Sequence, residues 1–595
     1  MKTFRSRAFA GLAAAALIAG AGLAAQDRPE SILPPGFGEP DPTPTPQATR
    51  SPTAPGSVTP PAAGLPPIDA PLPPGAPTPS PTPTATPTPV DLTLYELPDY
   101  AKRGLAVVGA TNEGAEALAG SAFGSASGRT IEMLMRRLDA PLPSRWLSIA
   151  MRRMLMGRLA TPAGVNGADF AAERAWLLLR MGEAEGARWI VQSVDVQDYT
   201  PKLLQVAMQA MLATGDPAGL CPLVDAGSAS GEPGWALARA MCAGLAGEPA
   251  RAGALLDAAR RRSGRGIDYL LAEKVVGAGA QGRRSVTIEW DGVDALTAWR
   301  YGLATATGVE IPRDLLSTTA SWVLGWRATA PMASAVERAA LSDFAASQGI
   351  LSNLALVDLF AEVEASDEDG SAQVAVARDL RAAFTEGNDD QRLATLRRLW
   401  DDAEGARAEH ARSVLTARAA VRIAPSAERA EHADRLVASL LTAGLDGAAL
   451  RWRGIAPAGG EAAAMLTLID PRGGTSSYGE VDGLTAGDAG PERVKAQMLM
   501  AGLGGMGRLS AEDTESLARD LNVRIGVENS WTRAIAAAAA RREPATVLLL
   551  TAVGMQTGSW RGVPPEVLYH ATAALRAVGL MGYARMIAAE AVARA

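Results

Sequence analysis

The sequence predicts an all-α protein: an α-solenoid of helix–turn–helix repeats behind a signal peptide and a disordered proline-rich linker. Three observations carry this reading. Gly182, Gly215 and Gly247 sit at the tips of helical hairpins at spacings of 33 and 32 residues, the period of stacked helix pairs that bury their apolar faces against neighbours. From about residue 92 the chain is rich in Ala, Leu, Arg and Glu, with short apolar stripes of helical period. Strand signals are nearly absent, because the one clear alternating run, Ser285-Val286-Thr287-Ile288-Glu289-Trp290, is a single segment and cannot form a sheet alone.

Residues 1–25 read as a secretory signal. Lys2, Arg5 and Arg7 form a basic start, Ala8–Leu23 is an uncharged apolar run, and Ala24-Ala25 closes it ahead of Gln26. An uncleaved anchor is the alternative, although the run is short and Gly/Ala-rich for a span of about 20 residues. No cysteine stands near the cleavage point, which excludes a lipoprotein anchor. Cleavage would take the net charge from −7 to about −10. A mildly acidic chain argues against nucleic acid, whose phosphates demand a basic face. The expected location is the periplasm, with membrane association only if the signal stays on.

Residues 26–91 are a different material. They hold 22 of the 40 prolines, often as Thr-Pro or Ser-Pro. Such a stretch cannot bury enough apolar surface to offset ordering entropy, and it favours solvated polyproline II. At about 3.1 Å per residue it reaches roughly 200 Å. Spacer, glycosylated stalk, proline-motif ligand and flexible tail all remain open.

The body divides into a solenoid over 92–456, an irregular loop segment over 457–490, and C-terminal helical repeats over 491–595. At about 500 residues it exceeds an ordinary domain, but repeat arrays escape the single-core limit. The loop segment is read from Ala456-Pro457-Ala458-Gly459-Gly460, Asp470-Pro471-Arg472-Gly473-Gly474 and Gly490-Pro491, with one short apolar piece between them.

The hairpin turns carry a further pattern. Gly247 is followed by Ala252, Leu256 and Ala259, Gly182 by Ala187, Val191 and Val194, and Gly579 by Ala584, Ala588 and Ala591. Glycine supplies a left-handed helix cap and small alanine lets paired helices approach closely. In this pattern the chain resembles tetratricopeptide repeats, with weaker echoes at Gly215, Gly349, Gly387 and Gly444. The family's aromatic positions are mostly lost, and the spacing fails between Gly247 and Gly349 and after Gly444. The resemblance covers about half the body and implies architecture only. The chain is also similar in style to the superhelical part of soluble lytic transglycosylases, yet it continues as helical repeat to Ala595 without a catalytic Glu-Ser motif.

Cys221 and Cys242 are the only cysteines. In an exported chain they are expected to pair. Their midpoint falls inside Gly227-Ser228-Ala229-Ser230-Gly231-Glu232-Pro233, so an antiparallel hairpin would set them opposite each other. Two small buried hydrophobes, or a redox pair, are the alternatives. Neither a CxxC spacing nor a nearby His supports redox chemistry.

Catalytic signatures are weak throughout. Gly277–Gly282 and Gly502–Gly507 both spell GxGxxG, but each follows helical pattern where a dinucleotide site needs a strand, so both read as inter-helix turns. There is no GxSxG, P-loop or HExxH. A site assembled from residues distant in sequence stays open. His410, His432 and His570 are the only histidines. The first two sit in repeated Arg-Ala-Glu-His-Ala pentapeptides and would lie about 33 Å apart on one helix, so they read as solvated helix faces and not as metal ligands. Asp389-Asp390 and Asp401-Asp402 read as charge-rich helix starts, where acids favour the dipole, and not as a glycosidase pair. Trp299, Trp322 and Trp326 cluster in 295–331 and read as core before groove anchors.

No catalytic, cofactor-binding or metal-ligating residue is therefore expected, and no cofactor. The expected function is an exported, non-catalytic scaffold or adaptor that binds an envelope protein or peptidoglycan. A peptidoglycan-directed enzyme with an unrecognised site and a structural spacer are the alternatives.

Overall fold

The structure is a computed structural model that describes residues 98–112, 118, 120–279, 286–366, 370–485 and 493–595. The expected signal peptide, the proline-rich linker to residue 91, and the end of the first GxGxxG string lie outside the described residues. The chain divides into two units. Of Gly38–Lys102 only the last few residues are described, with a 3-10 turn at Asp99–Ala101. The helical array belongs to the other unit.

That unit is all-α, with 28 α-helices among the described residues. The described strands are Val107–Val108 and Leu159–Ala160, which pair antiparallel. The alternating run at 286–290 is irregular, because no second segment among the described residues pairs with it.

Local chemistry sets the helix ends. Ser144, Asn166, Thr200 and Thr297 each accept a backbone N–H of the first turn they precede. Pro201, Pro233, Pro249, Pro544 and Pro565 open helices at positions whose N–H has no helical acceptor. Gly182, Gly215 and Gly247 close helices with φ of 84°, 66° and 76°, the left-handed region that the turn needs. The small residues that follow do what the spacing predicts. Ala187, Val191 and Val194 are buried, as are Ala252, Leu256 and Ala259, and Ala584, Ala588 and Ala591.

Helices stack as successive hairpins. Gly167–Arg180 packs on Ala184–Gln192 and Pro201–Ala213, and Pro233–Leu245 packs on Pro249–Ser263 and Ile267–Gly279. Contacts are not confined to neighbours, however. The Trp326 indole, fully buried, donates to Leu179 O at 3.0 Å across 147 residues, so this part of the tryptophan cluster is core. Glu543 accepts from Ser125 N and Oγ at 3.2 and 3.0 Å, and Ala545 N donates to Ala122 O. The C-terminal helix Met581–Arg594 packs on Arg145–Met156 as well as on Glu461–Ile469 and Val494–Gly505.

Two buried arginines tie these contacts together. Arg174 donates to the carbonyls of Leu155, Val108 and Gly157, and burial pushes its pKa down to about 9. Arg145 donates to Thr442 O, Ala346 O and Leu351 O, and burial pushes it down to about 10. Both use the fixed guanidinium fork to satisfy several backbone carbonyls at once, among them those of Leu155 and Thr442 at helix ends.

Three expectations need correction. Over 457–485, the described part of segment 457–490, the chain is not mostly loop, since Glu461–Ile469 and Tyr478–Thr485 are helices within it. The glycines that flank them mark their ends, while Ala462, Met465 and Ile469 bury a continuous apolar face. Asp401-Asp402 ends a helix instead of starting one, and Arg435 offsets the unfavourable dipole by pairing with Asp401 at 2.6 Å. The second GxGxxG string lies in and just after the helix Val494–Gly505, where Gly505 meets Tyr569 O so closely that a Cβ would sit 2.3 Å from it.

Cys221 and Cys242 form a disulfide with a Cα separation of 5.5 Å. The first lies in a 3-10 turn (Pro217–Leu223) and the second in the helix Pro233–Leu245, on either side of the connection that the midpoint argument names. Replacing both with serine is expected to lower stability by about 3 kcal/mol in the chain-entropy model. Urea unfolding of the two forms measures it, and an unchanged midpoint would show that the bond contributes nothing.

A cleft under the C-terminal helix

A cavity of about 660 Å³ opens where the C-terminal helix crosses Ala406–Ala420, Ala433–Thr442 and Glu461–Ile469. Its size is in the usual range for a small-ligand site. Trp146, Trp400 and Trp560 line it together with Met465 and Met586. Trp400 donates to Thr416 Oγ1 at 2.8 Å and carries the Arg435 guanidinium 4.8 Å from its ring centre. Trp146 is half-buried and donates to Leu441 O.

The charged lining is mixed in sign. Asp401, Glu409, Asp434, Arg435 and Glu461 come from the helices over 389–469, and Arg561, Glu590 and Arg594 from the C-terminal elements. Most of the carboxylates already serve the fold. Asp401 pairs with Arg435, Glu461 with Lys495, and Asp434 accepts the Ala462 N–H at 2.7 Å. Glu590 is the most heavily used. It accepts from Ser144 Oγ at 2.6 Å, Arg145 N at 2.9 Å, Trp146 N at 3.2 Å and Arg594 Nη1 at 2.6 Å. It thus caps the helix Arg145–Met156 from 445 residues away, where the dipole favours a carboxylate.

His410 corrects the expectation of a solvated face. It is buried in the cleft lining, with Nε2 3.8 Å from Glu590 Oε1 and no hydrogen-bond partner at that nitrogen among the described residues. Burial, helped by the nearby Arg594 and Arg145 charges, holds its pKa well below the ordinary histidine value. The imidazole is neutral at pH 7, so the contact with Glu590 is not an ion pair. The folded state therefore binds fewer protons than the unfolded state below about pH 6.5, and stability falls as pH drops through that value. His410→Gln is expected to flatten this limb of the stability–pH curve. Chemical denaturation at pH 7.5 and pH 5.5 measures it, and an unchanged slope would remove His410 from the acid response.

Comparison with protein-family models, curated proteins and solved structures finds no match to this chain. The cleft is thus read from its own residues. Cys221 and Cys242 do not line it, nor do Trp299, Trp322 and Trp326. Among the described residues no group of three or more His, Cys, Asp or Glu side chains is placed to hold a metal, and no helix is long and apolar enough to cross a membrane. Trp146, Trp400, Trp560, His410 and Glu590 carry no sequence signal that would group them. They come together only because elements from the start, the middle and the end of the array pack around one cavity.

Proposed function

We propose that the chain is a non-catalytic binding protein, an exported scaffold or adaptor that holds an envelope protein or peptidoglycan through its helical array and the cleft within it. The observation that supports binding over catalysis is the use of the cleft carboxylates. Glu590, Asp434, Asp401 and Glu461 each accept a structural hydrogen bond or ion pair, and Glu409 is the one other carboxylate of the lining, so no two unengaged carboxylates stand there to divide acid and base roles. The neutral, buried His410 has no nucleophile within hydrogen-bond reach of Nε2. The hairpins are read as degenerate tetratricopeptide-like units, on their turn glycines and small contact residues. Export to the periplasm and the spacer role of the linker rest on the composition of residues 1–91.

Sedimentation with purified peptidoglycan sacculi, alongside crosslinking of the full chain in native envelope, tests this reading. Co-sedimentation, or one stoichiometric crosslinked protein, with no soluble fragments released is the expected result. Release of muropeptides would overturn it in favour of an envelope enzyme. Neither partner would leave only a spacer.

A further inference from the structure

We propose that the arginine-rich tip between the helices Pro249–Ser263 and Ile267–Gly279 docks on an anionic phospholipid surface. Between Asp257 and Asp268 the chain carries Arg260, Arg261, Arg262 and Arg265 and no carboxylate, in a sequence whose net charge is −7. The first three stand in the last turn of one helix, and Arg265 stands in the connection Gly264-Arg265-Gly266, which Gly264 enters with φ of 79°. All four arginines are exposed, as are Gly264 and Gly266 beside them. None of the four lines the cleft, so this surface is separate from the one already described.

Nearby acids neutralise the tip only in part. Arg260 meets Asp257 at 3.6 Å and Arg265 meets Glu273 at 3.5 Å, both long for ion pairs, and Asp268 is taken by Arg300 at 2.9 Å. Arg261 and Arg262 have no partner among the described residues. The helix dipole favours cations in a last turn, but it does not explain Arg265 beyond the helix or the repulsion among close like charges. A single bound anion fits poorly, because the C-terminal end of a helix repels it. Successive helix positions also splay by about 100°, so the guanidiniums fan out and do not close on one ion. A linear polyanion would need charges strung along a groove, whereas these cluster at one tip. A broad anionic face suits such a fan. Arginine forks pair with phosphate oxygens, and each basic residue held at a charged lipid surface strengthens binding by about fivefold. Screening over about 8 Å limits the repulsion from the acidic remainder of the chain.

The probe is a pair of vesicles, one of phosphatidylcholine alone and one of phosphatidylcholine mixed with phosphatidylglycerol, floated with the full chain. The apolar run of residues 8–23 can enter either vesicle, so the readout is the gain in affinity from neutral to anionic lipid. Arg261→Gln combined with Arg262→Gln is expected to cut that gain by about 25-fold, two charges at about fivefold each. Arg397→Gln combined with Arg418→Gln removes the same charge from exposed positions on two other helices and is expected to leave the gain intact. Added salt should weaken the parent and this control alike, and the tip variant less. No gain on anionic lipid, an unchanged gain in the tip variant, or an equal loss in the control overturns the proposal. Sacculus binding that the tip variant loses, with no lipid gain in the parent, would assign the tip to an anionic polymer and overturn the lipid surface. Since the cleft takes no part, failure here leaves the binding reading of the cleft standing.

Discussion

Glu590→Ala is expected to lower stability by about 3–5 kcal/mol, the range for removing one member of a buried charged network. Four donors converge on this carboxylate, two of them first-turn N–H groups of the helix Arg145–Met156. Alanine would leave those N–H groups, the Ser144 hydroxyl and one face of Arg594 without an acceptor in a buried setting. The contact also joins the last helix to the second described helix of the unit, so its loss should release both ends of the array together. Glu590→Gln separates shape from charge. It keeps the size and one acceptor oxygen but loses the dipole term and half the acceptor capacity, so an intermediate cost is expected. Urea unfolding with hydrogen exchange on the helix Arg145–Met156 reads both effects. A Glu590→Ala protein within 1 kcal/mol of the parent would show that the cap is incidental.

How much of this was legible in the sequence follows from the range of each signal. The turn glycines and the alanines five residues later act within one hairpin, so Gly182 with Ala187 and Gly247 with Ala252 could be read directly, and the burial agrees. The disulfide was legible for the same reason, because its two ends flank a single connection. Gly459, Gly460 and Gly473 misled, since glycine marks a helix end and a loop alike, and the short helix Glu461–Ile469 was lost between them. The cleft was not legible at all. Trp146 and Trp560 are separated by more than four hundred residues of sequence, and they line one cavity only because Glu590 and Arg145 bring the ends of the array together. His410 shows the same limit in a single residue. Its pentapeptide is repeated at His432, which stays partly exposed, so identical local sequence gives two environments.

Arg174→Ala is the second large effect, again about 3–5 kcal/mol, for a different reason. An ion pair can be replaced by two apolar residues with little loss, because both charged partners leave together. The partners of Arg174 are backbone carbonyls of Val108, Leu155 and Gly157, and no substitution at position 174 removes them. Arg174→Met fills the volume and still leaves three acceptors buried without donors, so it should rescue less than half of the loss. Arg174→Lys keeps the charge, but one ammonium cannot reproduce a planar fork that reaches three carbonyls. The guanidinium also lies 5.5 Å from the Phe170 ring centre, a contact the ammonium keeps only in part. The expected order of stability is therefore parent, then lysine and methionine variants, then alanine. A methionine variant as stable as the parent would show that water or backbone adjustment satisfies those carbonyls, and that the first hairpin is not held by this arginine. Total stabilities of domains are about 5–15 kcal/mol. Loss of either Arg174 or Glu590 alone thus removes a large share, and the two act at opposite ends of the helix Arg145–Met156, one on its last carbonyls and the other on its first N–H groups.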